Sequence, residues 1–432
     1  MEHQILRHII TEQHRVIKNA VIFPRDYEFD PKANYVLVGL RRAGKSTLLY
    51  KIARDLVKNG VDWSQIIYVN FEDERLNGFS LADFDDILGV AGELTDKEPY
   101  IFLDEVQNID GWEKFARRLA DQKYRVYITG SNAKMLEWNI VERLGARYFI
   151  KTIYPYNFNE FLTAKGIDHT TNELYDTLLS GRIVRGAADY LSHGGLPETL
   201  IYSDHRDYLE SIYQKILLGN IIARNDIRNQ EAFRLLINKI AETIMHDVSY
   251  RNLAKSIRSV LNKKVSTETV INYISFAKSA FLLFDVKDYV SKFTDKNTTP
   301  KYYFIDNGIL NLFLLNKASV LLENLVAIAL YEKYQDHLFY LKSSKTKIDI
   351  DFYLPEKKTA IQVAFSVSDH AYEREVGNLV RLTKNDDSVE RFIIVTSEEE
   401  KTIEEDGVKV EVMPLYKFLL DDLVAFDITD KK

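Results

Sequence analysis

One nine-residue segment constrains this chain most, because it directly follows the apolar run Tyr35–Val38 and matches the pattern G-x-x-x-x-G-K-[ST]. Glycines at its first and sixth positions let the backbone turn from a strand into a helix while its N–H groups point at one anion. Lys45 then reaches the β- and γ-phosphates, and the Ser46 hydroxyl binds Mg²⁺. The pattern predicts a loop that binds ATP or GTP with magnesium. The residues predicted to contact the nucleotide are Gly39, Leu40, Arg41, Arg42, Ala43, Gly44, Lys45, Ser46 and Thr47.

A second candidate segment is the apolar run Tyr100–Leu103, which ends in Asp104 and Glu105. A buried parallel strand delivers such carboxylates to the C-terminal edge of its sheet, where ligands bind. Beside a phosphate-binding loop, we expect Asp104 to hold Mg²⁺ through water and Glu105 to polarise the water that attacks the γ-phosphate. Apolar runs that end in Asp-Glu are common, so the interpretation of this pair depends on the loop.

A third apolar run, Arg125–Ile128, continues into a polar segment that ends in Asn132. We expect Asn132 to act as a catalytic residue that senses the γ-phosphate, and the alternative is a polar turn. Apolar strands alternate with helical patterns over residues 33–152, which predicts an α/β fold of the P-loop NTPase type with a parallel sheet between helices. Residues 1–32 precede it as a helix and a connector.

The composition limits the class of protein further. The chain has 432 residues, of which 46% are hydrophobic and 28% charged, enough for several domains with ordinary cores. No apolar stretch reaches the roughly 18 residues needed to span a bilayer. The absence of cysteine excludes disulfides, thiolate metal sites and a cysteine nucleophile. We therefore expect a cytoplasmic protein with no membrane partner.

Several motifs together resemble the prokaryotic AAA-type ATPases of the archaeal-ATPase-like group. These motifs are Gly39–Thr47, Phe71–Asp73, Leu103–Gln107, Trp112 and Thr129–Ser131, followed in the C-terminal half by Gly194–Glu198, Tyr303–Gly308 and Leu322–Val326. The resemblance implies an AAA-like nucleotide domain, a winged helix and a terminal domain related to restriction endonucleases. It also favours ATP over GTP.

Two arginines after the third strand, Arg143 and Arg147, lie where AAA-like enzymes often carry a cation that neutralises transition-state charge. Arg147 matches the resemblance better and is our catalytic candidate, with an ordinary surface arginine as the alternative. Because such an arginine can act on a neighbouring subunit, a homo-oligomer is an expected partner.

The middle of the chain predicts a helical lid over residues 153–245 and a winged helix over residues 246–317. Between residues 249 and 301, ten Lys and Arg stand against four Asp and Glu, a net charge of +6 in a chain whose net charge is −7. Such asymmetry is typical of a surface that faces a polyanion, so we expect double-stranded DNA to bind here. The presumed recognition helix carries Glu268 and few cations, and a protein-binding winged helix is the alternative.

The predicted terminal domain, residues 318–432, resembles nucleases that hold Mg²⁺ between an acid and a Glu-x-Lys motif. Asp351 matches the acid, and Glu323 on the preceding helix is placed to assist. Gln362 and Ala364 stand where the Glu and Lys are expected, which weakens the metal site and removes the cation. We therefore expect a nuclease-like fold without nuclease activity. The alternative for Asp349 and Asp351 is solubilising charge on an edge strand.

These observations predict an ATPase in which hydrolysis of Mg-ATP moves a winged-helix and nuclease-like C-terminal half, with a possible action on DNA. A nucleotide-gated binding module with negligible turnover is the first alternative. A DNA-cleaving enzyme is the second.

Overall fold

A computed structural model describes residues 1–136, 138–169, 177–289, 299–315 and 317–424 of the chain. It divides into two compact units, one formed by Met1–Pro155 with Ser279–Phe281 and the other by Tyr156–Lys278 with Leu282–Lys432. Within the described ranges, no helix is long and apolar enough to cross a membrane.

The first unit is built on a five-stranded sheet in which all neighbouring strands are parallel. Its strands are β1 (Asn34–Val38), β2 (Ile66–Asn70), β3 (Tyr100–Asp104), β4 (Arg125–Gly130) and β5 (Tyr148–Thr152). Their order across the sheet is β2-β3-β4-β1-β5. The predicted α/β fold with a parallel sheet is therefore confirmed, and the apolar runs of the sequence form its central strands.

Helices cover both faces of this sheet, because side chains of a strand alternate between its faces. Val36 and Val38 pack in one apolar core, whereas Tyr35 and Leu37 pack in another. The helices are α1 (His3–Asn19), α2 (Lys45–Lys58), α3 (Phe84–Leu94), α4 (Trp112–Asp121) and α5 (Trp138–Leu144). The predicted N-terminal helix is thus present as α1. Helix α4 begins at Trp112, one of the residues quoted for the resemblance.

The second unit begins with helices that follow one another along the chain. They are α6 (Phe158–Ala164), α7 (Thr177–His193), α8 (His205–Lys215), α9 (Gln230–Glu242), α10 (Tyr250–Leu261) and α11 (Thr267–Ser279). A π-helical segment, Ile216–Ala223, continues directly from α8. These helices occupy much of the described part of residues 153–245, and residues 170–176 lie outside the described ranges; the lid itself stays a prediction.

An eight-stranded mixed sheet forms the rest of this unit. Its strands are β6 (Leu283–Asp288), β7 (Lys301–Phe304), β8 (Phe339–Ser343), β9 (Ile348–Leu354), β10 (Thr359–Val363), β11 (Arg391–Thr396), β12 (Lys401–Glu405) and β13 (Val408–Pro414). Their order is β12-β13-β11-β10-β9-β8-β6-β7. The accompanying helices are α12 (Asn307–Asn311), α13 (Ala318–Tyr334), α14 (Asp369–Thr383) and α15 (Leu415–Leu420).

The boundary predicted at residue 317 falls between strands that share this sheet, because β6 pairs with β8 in parallel. Helices α10 and α11 and strand β6 lie within residues 246–317, the range predicted as a winged helix, and β6 pairs with β7 antiparallel. Residues 290–298, part of the segment predicted to bind DNA, lie outside the described ranges. The winged-helix and nuclease-like assignments and the domain limits stay predictions.

Candidate nucleotide-binding site

The glycine-rich loop joins β1 to α2 with a backbone that only glycine adopts readily. Gly39 has φ 149° and Gly44 has φ 96°. A Cβ atom built on Gly39 would lie 2.1 Å from the carbonyl oxygen of Ile153, so a side chain at that position would force the backbone apart. The loop therefore depends on these two residues for its shape, as the sequence pattern predicts.

Lys45 is buried inside the loop, with 4% of its surface exposed. Its Nζ donates hydrogen bonds to the carbonyl oxygens of Gly39 at 3.1 Å and Leu40 at 3.0 Å. Burial lowers the pKa of this ammonium, and the carboxylates of Glu105 and Asp104 oppose that shift. Since its direct hydrogen-bond acceptors are neutral carbonyls, Lys45 is placed to exchange them for the oxygens of an anion.

Asp104 lies at the end of β3 and accepts hydrogen bonds from three hydroxyl groups. Ser46 Oγ donates to Oδ1 at 3.1 Å, Tyr68 donates to Oδ2 at 2.7 Å, and Thr129 also donates to Oδ1. Burial, followed by the nearby charge of Glu105, raises the pKa of Asp104. The Ser46 hydroxyl and the Asp104 carboxylate are hard oxygen donors in direct contact, so this pair fits Mg²⁺ chemically. Among the described residues, no group of three or more His, Asp or Glu has metal-site geometry.

Glu105 is held in an uncommon backbone conformation, with φ 52°. Its Oε2 accepts hydrogen bonds from Gln107 Nε2 at 2.5 Å and Ser131 Oγ at 3.0 Å, and its Oε1 lies 3.9 Å from Lys45 Nζ. Burial opposes ionisation of this carboxyl, but Lys45 and the two hydrogen bonds lower its pKa. Glu105 is therefore an oriented, ionised carboxylate beside the loop.

The structure brings other residues to the site that we did not predict to have a role. Tyr68 and Thr129 hold Asp104, while Gln107 and Ser131 hold Glu105. Arg25 donates to the carbonyl oxygens of Ala43 at 3.0 Å and Tyr154 at 2.8 Å. Tyr68 sits inside an apolar run, where no sequence signal separates it from a core residue. Thr129, Gln107 and Ser131 do lie in the quoted motifs, so their polarity at strand ends was a usable signal.

Asn132 follows β4, the strand between β1 and β3, and is 5% exposed. Its Oδ1 accepts a hydrogen bond from the backbone of Lys134 at 2.8 Å, as in a polar turn. Arg147 precedes β5, and its neighbour Tyr148 pairs with Asn34 at the start of β1. Arg147 therefore lies at the opposite end of the sheet from the loop, where it bonds Asp121 and the carbonyl oxygen of Gly145. Their catalytic roles stay predictions.

The residues predicted for a nuclease-like site lie in the second unit. They form hydrogen bonds with one another and ion pairs with Lys301. Gln362 Oε1 accepts from the backbone N–H of Asp351 at 2.8 Å, and its Nε2 donates to the carbonyl oxygen of Asp349 at 3.0 Å. Asp351 and Glu323 both face Lys301, at 3.1 and 3.6 Å from its Nζ. Sequence reasoning missed Lys301, because a lysine at the start of a strand in a basic segment gives no signal of burial.

A glycine loop that turns a parallel strand into a helix, beside carboxylates at the end of a nearby strand, defines the class of P-loop nucleotide-binding domains. Residues 32–162 match the family described as AAA domain, and residues 185–319 match a family described as a domain of unknown function (DUF8612). The AAA match supports a P-loop AAA-type ATPase domain that binds and hydrolyses nucleotide.

Two relatives match most of the chain. An uncharacterised protein of Methanocaldococcus jannaschii is 29% identical over 436 residues, which cover 96% of this chain and 95% of that protein. An uncharacterised protein of Haemophilus influenzae is 27% identical over 384 residues, which cover 87% of this chain and 92% of that protein. The similarity therefore extends across both units.

Similar solved structures include a Walker-type ATPase of Pyrococcus abyssi, with a TM-score of 0.37 and 14% identity over 71% of this chain and 94% of that chain. The Aeropyrum pernix Orc1 protein in complex with DNA gives a TM-score of 0.31 and 15% identity over 72% of this chain and 90% of that chain. These likenesses are too weak to assign a role.

Proposed function

We propose that this protein binds Mg-ATP at the loop of residues 39–47 and hydrolyses it. The observation that carries the proposal is the arrangement around Lys45, with Ser46 in contact with Asp104 at 3.1 Å and Glu105 Oε1 at 3.9 Å from the ammonium. Backbone N–H groups of the loop and the start of α2 bind phosphate oxygens, and Lys45 adds a positive charge. Bound Mg²⁺, held by Ser46 and Asp104, would supply further charge to the β- and γ-phosphates.

Glu105 is the residue that we assign to the attacking water. A general base must be ionised and oriented. The charge of Lys45 and the hydrogen bonds from Gln107 and Ser131 lower the pKa of Glu105, and the two hydrogen bonds orient its carboxylate. Asn132 is our candidate sensor of the γ-phosphate, and Arg147 is our candidate for action on a neighbouring subunit of a homo-oligomer.

We further propose that nucleotide state controls the C-terminal half and its binding to double-stranded DNA. On helix α10 the side chains of Arg251, Lys255 and Arg258 are exposed. The buried residues of the same helix are Leu253, Ala254 and Ile257. Phosphate contacts by such cations weaken steeply with salt. A nucleotide-gated switch with negligible turnover is the second candidate, favoured by the position of Arg147, which lies at the opposite end of the sheet from the loop of its own chain.

Steady-state phosphate release from the full chain, with and without double-stranded DNA at two salt concentrations, tests these proposals. An ATPase releases phosphate continuously, and Glu105→Gln abolishes release while nucleotide binding persists. A switch binds ATP tightly and releases almost no phosphate. Failure to bind any purine triphosphate with magnesium would overturn both. If DNA at low salt neither binds nor changes the rate, the DNA proposal is wrong and the ATPase proposal is unaffected.

A further inference from the structure

Three charged side chains from three separate elements meet inside the second unit. Lys301 begins β7, Glu323 lies on α13 and Asp351 lies on β9. Lys301 is 2% exposed and Glu323 is 1% exposed. The lysine Nζ lies 3.1 Å from Asp351 Oδ1 and 3.6 Å from Glu323 Oε1, so one ammonium stands between two carboxylates.

The carboxylates of this cluster are fixed by other partners and do not depend on the ammonium for their position. Tyr303 donates to Glu323 Oε1 at 2.8 Å, and the backbone N–H of Val363 donates to Asp351 Oδ2 at 3.0 Å. The second oxygen of Glu323, Oε2, is buried and has no hydrogen-bond partner in the described part of the chain. An unpartnered buried carboxylate oxygen is costly, and it marks acceptor capacity that Lys301 does not use.

Negative charge exceeds positive charge around this point. Glu375 on α14 is also buried, at 1% exposure, and it is bonded by Arg374. Burial and the nearby charge of Asp351 raise the pKa of Glu323 and of Glu375 to about 7. Fixed carboxylate oxygens that converge on one cation are the donor type that Mg²⁺ and Mn²⁺ take, often with one or two carboxylates and several waters. In this protein a lysine ammonium is the cation at the point of convergence.

We propose that Lys301 is a resident cation that occupies the place of a divalent metal ion between Glu323 and Asp351, and that its removal opens a metal site there. The native cluster consequently takes no divalent metal. The latent site is separate from the nucleotide-binding loop, so the proposal does not depend on the ATPase activity.

Mn²⁺ binding to the full chain without nucleotide tests this proposal. We would measure free Mn²⁺ by electron paramagnetic resonance and the melting temperature in Mn²⁺ and in chelator. Mn²⁺ binding to the wild type gives the baseline for weak binding at other places in the chain. Lys301→Met is expected to bind one more Mn²⁺ than the wild type, and its melting temperature is expected to rise with Mn²⁺ in a saturable way. The double variant Lys301→Met/Asp351→Asn is expected to lose both gains.

Lys301→Met leaves two carboxylates without their cation and therefore needs a charge-balanced control. Lys301→Met/Glu323→Gln removes one negative charge together with the positive one. This variant is expected to fold without metal, to bind no more Mn²⁺ than the wild type and to keep its melting temperature when Mn²⁺ is added. If Lys301→Met folds only when Mn²⁺ is present, the proposal is supported. If it binds no additional Mn²⁺, or fails to fold with Mn²⁺ while the balanced variant folds, the proposal is wrong. Wild-type Mn²⁺ binding that Asp351→Asn removes would also overturn it.

Discussion

The two units each bury a lysine among carboxylates, but the two lysines have different partners. Lys45 bonds the neutral carbonyls of Gly39 and Leu40 and lies 3.9 Å from its nearest carboxylate oxygen, on Glu105. Lys301 lies 3.1 Å from Asp351. Burial dominates at Lys45 and lowers its pKa, whereas at Lys301 the two acids outweigh burial and raise the pKa.

This difference teaches how a buried cation is kept available or is neutralised. An ammonium that is bonded by neutral carbonyls has no bonded carboxylate to compensate its charge, so an incoming anion can do so, and the loop around Lys45 offers N–H groups to the same anion. An ammonium bonded to fixed carboxylates has its charge compensated within the fold. Removing such an ammonium leaves an uncompensated buried charge, which is strongly destabilising.

The largest expected effect is the loss of phosphate release when Lys45 is replaced. Lys45→Ala should lower phosphate release by about 10³-fold, equivalent to about 4 kcal/mol, because it removes a charge aimed at the transferred phosphate. The free energy of unfolding without nucleotide should change far less. Lys51→Ala, at a partly exposed lysine of the same helix that pairs with Asp55, is the matched control and should keep its activity. Unchanged turnover in Lys45→Ala would contradict the whole site assignment.

The second-largest effect should be a loss of stability, with activity retained, when Lys301 is replaced. Lys301→Met in chelator should lower the free energy of unfolding by about 3 kcal/mol, since Glu323 and Asp351 lose their cation. Denaturant titration measures this loss, and ATP affinity should be retained. Lys278→Met, which removes an exposed lysine from its pair with Asp285, should cost less than about 1 kcal/mol. Equal losses in the two variants would refute the comparison.

Glu105→Gln tests the carboxylate nearest to Lys45, because the amide keeps the shape of the side chain and removes its basicity. We expect phosphate release to fall by at least about 10²-fold with nucleotide binding retained. Single-turnover and binding measurements separate these two effects. The exposed Glu98→Gln serves as the control substitution. Retained turnover in Glu105→Gln would show that another group activates the water.

The smallest expected effect is a modest loss of turnover when Glu105, the proposed base, is less firmly oriented. Gln107→Ala removes one of the two hydrogen bonds to Glu105 Oε2, while Ser131 keeps the other. We expect turnover to fall by about 5-fold, equivalent to about 1 kcal/mol, with ATP affinity unchanged. Adding Gln107→Ala to Glu105→Gln should have no further effect on turnover. An additive loss in the double variant would mean that Gln107 acts independently of Glu105.

The sequence predicted the parallel sheet of the first unit well, because a short apolar run and the polar residues that end it lie close together in the chain. This local signal placed Lys45 and Ser46 at the start of α2, and Asp104 and Glu105 at the end of β3. The roles of Tyr68 and Gln107 were not predicted, because a hydroxyl or amide contributes to a site only through the neighbour that it reaches. In the second unit the strand β12 was missed, since its exposed sequence Lys401–Glu405 carries little apolar patterning.

By itself, the sequence determined the phosphate-binding loop and the strand that delivers Asp104 and Glu105, because glycine geometry and apolar periodicity act over a few neighbouring residues. Only the tertiary structure decided that Lys301, Glu323 and Asp351 meet. These residues come from a strand, a helix and a second strand that are distant along the chain, and the two strands, β7 and β9, are not neighbours in the mixed sheet. Both lysines are buried, but Lys45 lies against carbonyl oxygens of its own loop, whereas Lys301 lies against the side chains of Glu323 and Asp351, which distant segments bring to it.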